Sequence, residues 1–314
     1  MGLLTVFASE AAEGMSSVIT LSVFFEGTAN PLDPITTQVG IFAQLTAGQD
    51  LSNYARDTST GIDPTAGPFK IAFDGCGVTD GLSGVLFASG LDRQCDGVCK
   101  VVCDLLACTS SRAQRLRING LGLSRGGLAL MILSQKIAKL PADSVARIDL
   151  NICLFDPVPG NLVHTGFPFT GWGCADLSAC HCLRRVLALY PHEPLPDLSF
   201  HAPVLCKYPA HTEVEEDVLL GCHQGALFPP RRAPHNSYAL ASNLSFHRVL
   251  AFLTENGTDV DMTWCFSPTA ADCLEIYRSE LRRHITQQQE AAENVVVALR
   301  DAPSTRRALH DGCR

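Results

Sequence analysis

The chain has 314 residues, of which 46% are hydrophobic and 18% charged, as in a folded globular protein large enough to bury a substantial core. A formal net charge of −8 argues against a nucleic-acid partner. No apolar run reaches the length of about 18 residues that a membrane span requires, so none is expected, although peripheral contact with a membrane stays compatible with the sequence.

Residues 1–8 are short and apolar, lack a basic n-region and run on into Glu10 and Glu13. They do not make a secretory signal, so a cytoplasmic, reducing compartment is expected. Gly2 is followed by a hydroxyl at Thr5 rather than one residue later, which breaks the myristoylation pattern. Val18–Phe25 is β-branched and apolar and predicts a buried strand. Residues 26–31 read as a turn, 38–45 as a helix and 46–68 as a Gly-, Pro-, Asp- and Thr-rich loop. A second strand is predicted at 69–73, ending in Asp74-Gly75-Cys76-Gly77, then a helix over about 92–109. A strand at 116–121, a helix at 126–139 and a strand at 146–155 follow. This alternation predicts an α/β fold, a mostly parallel sheet flanked by helices.

Over 161–200 the pattern loosens and Gly, Pro, Phe and Trp recur, with one short helix expected near 177–190. That stretch reads as a lid or cap-like insertion over the active-site edge, with Phe167, Phe169 and Trp172 as candidate lining of an acyl pocket. Another strand is expected at 202–208 and helices at 238–254 and 270–299. The whole reads as one domain over 1–300 with a frayed tail at 301–314.

The most informative segment is Gly122-Leu123-Ser124-Arg125-Gly126-Gly127, a G-x-S-x-G between the predicted third strand and an apolar helix. A nucleophile elbow needs this context, because small residues two before and two after the serine let strand and helix close up around it. The plainer alternative is a glycine-rich turn in which Ser124 caps the helix. Asp156 stands at the end of the next strand, where an acid can orient a histidine, or can simply cap the turn before Pro157. All ten histidines lie downstream of Asp156. His223, flanked by Gly221 and Gly225 after an apolar stretch, is the leading candidate base, with His201 and His235 as rivals. His284 lies in a basic, helical stretch and reads as solvated surface.

Fourteen cysteines include two clusters, Cys95/Cys99/Cys103/Cys108 and Cys174/Cys180/His181/Cys182. The first lacks the tight spacing of a zinc knuckle and reads more simply as small buried hydrophobes, and the second, in a loop region, is the better metal candidate of the two. No metal and no cofactor are expected.

Four blocks resemble the α/β-hydrolase family that includes the phospholipase effectors of bacterial type VI secretion. They are Phe24-Phe25-Glu26-Gly27-Thr28-Ala29-Asn30 against D-G-T-x-N, Asp74-Gly75-Cys76-Gly77 against a G-x-G turn, Gly122-Leu123-Ser124-Arg125-Gly126-Gly127 against G-F-S-R-G-A, and Phe155-Asp156-Pro157-Val158 against D-T-V. Gly221-Cys222-His223 matches a later G-x-H block. The resemblance implies an α/β-hydrolase-like fold and a serine esterase acting on a small-molecule or lipid ester. It assigns Ser124 as nucleophile, Asp156 as acid and His223 as base, with Gly27 and Thr28 beside the elbow. With the Arg125 amide, Gly27 and Thr28 would form the oxyanion hole, or their backbone would contact a phosphate. The Arg125 side chain itself reads more simply as paired with an acidic residue that buttresses the elbow. Glu26 stands where the family has Asp, and Gln224-Gly225-Ala226 replaces its usual S-D-V-G-G after the histidine. Two other readings remain open, a hydrolase-like scaffold that binds without turnover and an esterase for a non-lipid acyl group.

Overall fold

The computed structural model describes residues 18–33, 37–56, 62–63, 67–78, 90–108, 114–158, 173–191, 204–219, 223 and 237–261. Its strands are β1 (Val18–Phe25), β2 (Gln49–Asp50), β3 (Phe69–Phe73), β4 (Arg115–Leu123), β5 (Ile148–Phe155), β6 (Leu183–Pro191) and β7 (Glu213–Leu219). The helices are α1 (Gln38–Leu45), α2 (Ser52–Arg56), α3 (Leu91–Cys108), α4 (Arg125–Ala138), α5 (Ala142–Val145) and α6 (Ser237–Glu255). All strand pairs are parallel, and the order is β2-β3-β1-β4-β5-β6-β7. The chain therefore has the expected α/β architecture, a parallel sheet flanked by helices.

Helices cover both faces, so the central strands are apolar on both sides, as parallel sheets require. Leu21, Val23 and Phe25 of β1 join the core beneath α2, α3 and α4, where Val98, Val102, Leu105, Leu130 and Leu133 are buried. Phe24 turns to the opposite face and packs with Val39 and Phe42 of α1 and with Phe246 and Val249 of α6. On that second face runs a buried polar row. Ser22, Asn119 and Asn151 are register partners across β1, β4 and β5. Asn151 Nδ2 donates to Asn119 Oδ1 (2.9 Å), and Asn119 Nδ2 donates to the Asn256 carbonyl and to Thr258 Oγ1, both at 2.8 Å. The segment after α6 is thereby pinned to three strands.

Sequence expectation and structure part company in several places. The stretch expected as a loop, 46–68, holds β2 and α2, with the Asp50 carboxylate accepting the Ser52 amide at 2.8 Å to start the helix. Where a short helix is expected at 177–190, residues 183–190 belong instead to β6, the strand next to the β7 edge, so that part of the supposed insertion belongs to the sheet. A strand buried on both faces is an unbroken apolar run without alternation, and periodicity alone does not separate it from a helix. Residues 204–208 form no strand; only Lys207 bridges to Asp176. The acidic strand β7, Glu213–Leu219, lies at the sheet edge, where Glu215 pairs with Arg185 and Arg248. Charge on an edge discourages pairing with other chains. Phe167, Phe169, Trp172, the helix expected at 270–299 and the tail lie outside the described residues. Among the described residues no helix is long and apolar enough to cross a membrane.

Replacing Asn119 by Leu strands the amide and hydroxyl groups it serves. We expect a loss of about 2–3 kcal/mol in urea denaturation, and a loss below about 0.5 kcal/mol would show that the polar row does not hold the sheet to α6.

Candidate active site

In an open α/β sheet the ligand crevice forms where neighbouring strands send their connections to opposite sides. Here β1 leads towards β2 and β3, while its neighbour β4 leads towards β5. The loops after β1 and β4 therefore part at this point. The first holds Glu26, Gly27 and Thr28, and the second holds Ser124.

Ser124 is the single residue between β4 and α4, with φ 54° and ψ −116°. Left-handed φ is rare for a residue with a side chain and costs roughly 1–3 kcal/mol, so neighbours must impose it. The Ser124 amide donates to the Phe155 carbonyl at 2.8 Å, and its carbonyl accepts the Gly127 amide at 3.0 Å. Glycine is required on either side. A Cβ on Gly122 would lie 2.3 Å from the Gly126 carbonyl oxygen, and one on Gly126 would lie 2.2 Å from that of Phe25. Strand β4, helix α4 and the end of β1 are thus pressed together around the serine. The Ser124 hydroxyl makes no capping bond to the helix, so the capping alternative does not account for it.

Leu123 and Phe155 are register partners, so Ser124 and Asp156 are the next residues on adjacent strands. Asp156 is buried and also has left-handed φ, 43°. Its amide donates to the Leu189 carbonyl at 2.8 Å, which fixes the turn against β6. Its Oδ2 holds Nδ1 of His223, whose side chain is 14% exposed. Nδ1 bonded to a carboxylate sets the tautomer with the proton on Nδ1 and the basic lone pair on Nε2. The structure thus brings Asp156 and His223 into contact beside the elbow.

The rivals fare differently. His201 and His235 lie outside the described residues. His181 precedes β6 and His211 precedes β7, with His211 Nε2 at 3.1 Å from the His181 carbonyl. Both lie at the amino ends of their strands, the opposite edge of the sheet from Ser124. Cys95, Cys174, Cys180 and Cys182 are buried in the apolar core, whereas Cys103 and Cys108 are exposed on α3 and do not act as the buried hydrophobes expected. Among the described residues no three His, Cys, Asp or Glu side chains are grouped so as to hold a metal ion.

The β1 loop differs in detail from the sequence expectation. The Gly27 amide, one of the expected oxyanion donors, donates to Oε2 of Glu26 at 2.9 Å and is committed within the loop. Oε1 of Glu26 receives the Thr37 hydroxyl and, at 3.2 Å, the Gly40 amide at the start of α1. One buried carboxyl thereby joins the loop to the helix N-terminus. Thr28 Oγ1 accepts from Nη1 of Arg125 at 3.0 Å, tying the loop to the elbow. The expected buttress from Arg125 has the Thr28 hydroxyl as its partner and not an acidic residue, and the reach of Glu26 was not legible beforehand. Thr37 before an apolar helix signals a cap, but nothing local says that Glu26 reaches it from the preceding strand.

No family model matches the chain, and no curated protein matches it. Among solved structures, an uncharacterised protein from Pseudomonas aeruginosa is 14% identical, with a TM-score of 0.46 over 77% of this chain and 46% of its own. The Tle1 effector bound to the VgrG spike of the type 6 secretion system is 10% identical, with a TM-score of 0.34 over 67% of this chain and 50% of its own. Est1E from Butyrivibrio proteoclasticus is 10% identical, with a TM-score of 0.37 over 77% and 89%. The chain spans about half the length of the first two. All three likenesses are weak, and the site is read from its own geometry.

Burial raises the Glu26 carboxyl from its ordinary 4.5 to about 7, against the lowering effect of its hydrogen bonds. The folded chain then binds this proton more tightly than the unfolded chain. The stability it contributes is complete below pH 4.5 and is lost as pH rises to about 7. Glu26→Gln mimics the protonated form. We expect wild type to lose thermal stability relative to Glu26→Gln across that window, with a constant gap above it. Parallel melting curves throughout would rule out the shift.

Proposed function

We propose that the chain is a serine hydrolase that cleaves acyl esters through Ser124, His223 and Asp156. The observation that carries this is the Asp156–His223 pair at the end of the strand next to a left-handed serine whose hydroxyl is not spent on the helix. Oγ of Ser124 attacks the acyl carbonyl while Nε2 of His223 takes its proton. Asp156 holds Nδ1–H and stabilises the imidazolium. The Arg125 amide, among the first of a helix and so without a partner within it, stabilises the oxyanion together with the Thr28 amide from the β1 loop. His223 returns the proton to the leaving alcohol, giving the acyl-enzyme. Water then attacks with His223 as base, which releases the acid and restores Ser124. Gly27 shapes the loop and supplies no donor.

Support for an acyl ester as substrate, lipid esters included, comes from the four sequence blocks together with this arrangement. The test is hydrolysis of short and medium acyl p-nitrophenyl esters. Ser124→Ala and His223→Ala should lower kcat by roughly 10⁴–10⁶-fold and Asp156→Asn by about 10⁴-fold, with folding intact. Unchanged turnover in Ser124→Ala would remove the nucleophile. No turnover in wild type, together with no labelling by a fluorophosphonate, would favour a binding scaffold.

A further inference from the structure

The elbow carries a charge that acyl transfer does not use. Arg125 is the first residue of α4, directly after Ser124, and is only 7% exposed. One guanidinium nitrogen, Nη1, donates to the Thr28 hydroxyl at 3.0 Å, a neutral acceptor. Nε is buried with no hydrogen-bond partner, and among the described residues the guanidinium makes no ion pair. A guanidinium is always charged, and burying a charge is costly unless an anion compensates it.

The carboxylates at the neighbouring strand ends do not supply that anion. Glu26 holds Gly27, Thr37 and Gly40, and Asp156 holds His223. Asp74 accepts the Leu32 amide at 2.7 Å and lies 4.0 Å from Arg56. The cation is therefore built into the crevice between the β1 loop and the elbow without a counter-charge from those groups.

Building on the ester-hydrolase reading above, we propose that the Arg125 guanidinium is a specificity group that binds an anionic group, carboxylate or phosphate, carried by the substrate close to the scissile acyl carbonyl. Guanidinium offers parallel N–H donors that fit either oxyanion. The N-terminus of α4 adds its own positive partial charge at the same place. The strand order β1-β4-β5 sets Thr28 and Arg125 on one side of the serine and Asp156 with His223 on the other. The bound anion therefore sits on the side away from the base and leaves the proton-transfer path open. Selectivity has two parts. An anionic ester gains a charge-assisted bond, and a neutral one leaves a buried cation uncompensated.

Two substrate pairs test this. The p-nitrophenyl ester of pentanoic acid against the p-nitrophenyl half-ester of glutaric acid places the charge on the acyl side. Butanoyl glycerol against butanoyl glycerol phosphate places it on the alcohol side. Wild type should show a kcat/KM about 10–100-fold higher for the anionic member of one pair, which also identifies the side. Arg125→Gln should bring that ratio close to one, and Arg125→Lys should keep part of it. If Arg125→Gln lowers both members equally, the side chain is only structural and the proposal is overturned. A wild-type ratio near one in both pairs overturns it too, whether or not the variants fold. Failure of the hydrolase reading is distinct, since wild type would then turn over none of the four. In that case calorimetry on Ser124→Ala decides the anion site. Glutaric acid monomethyl ester should bind more tightly than methyl pentanoate, or butanoyl glycerol phosphate more tightly than butanoyl glycerol, and adding Arg125→Gln should remove the difference. Equal binding within both pairs would overturn the proposal.

Discussion

The structure around the crevice depends on one strained backbone turn, the left-handed conformation of Ser124. No serine adopts it unaided, and it is held from three directions. The Phe155 carbonyl takes the amide, the Gly127 amide takes the carbonyl, and the end of β1 closes on Gly126 with no room for a side chain. The surroundings of Ser124 follow from that clamp. Its hydroxyl makes no capping bond to α4. The clamp also sets Arg125 against Thr28. The same device recurs one strand along at Asp156, again with positive φ and again tied to a neighbouring strand, here by Leu189. Two adjacent strands end in strained residues, and both residues carry polar side chains at the crevice.

The loop after β1 is organised by charge. Glu26 sits inside the protein, satisfied by donors from its own loop and from the start of α1, at a pKa of about 7. A carboxyl so placed fixes the path of Gly27 and Thr28 and competes with any oxyanion for the Gly27 amide. Arg125 lies on the other side of Thr28 with the opposite charge and a single neutral acceptor. A buried carboxyl and a buried cation thus lie on either side of Thr28.

Much of this was legible in the sequence because the central strands and their helices are strongly patterned. Val18–Phe25 and Gln38–Leu45 fall where periodicity placed them, and the Gly122-x-Ser124-x-Gly126 spacing located the elbow because close packing leaves few alternatives to glycine there. Asp156 could be placed because it ends the strand after the elbow helix. Leu183–Pro191 was misjudged because burial on both faces erases the alternation that marks a strand. The edge strand Glu213–Leu219 was obscured by its own acidity, which suits an exposed edge and weakens the apolar signal. The reach of Glu26 to Thr37 and of Arg125 to Thr28 depends on contacts between distant segments, and no local rule encodes those.

The polar row of Ser22, Asn119 and Asn151 has a consequence for how the chain is made. Its outermost partners, Asn256 and Thr258, come after all seven described strands and after α6. On a ribosome, β1, β4 and β5 emerge well before them and wait with buried amides unanswered. This row is complete only once residue 258 is clear of the exit tunnel, so the second face of the sheet closes after the segment following α6 has emerged.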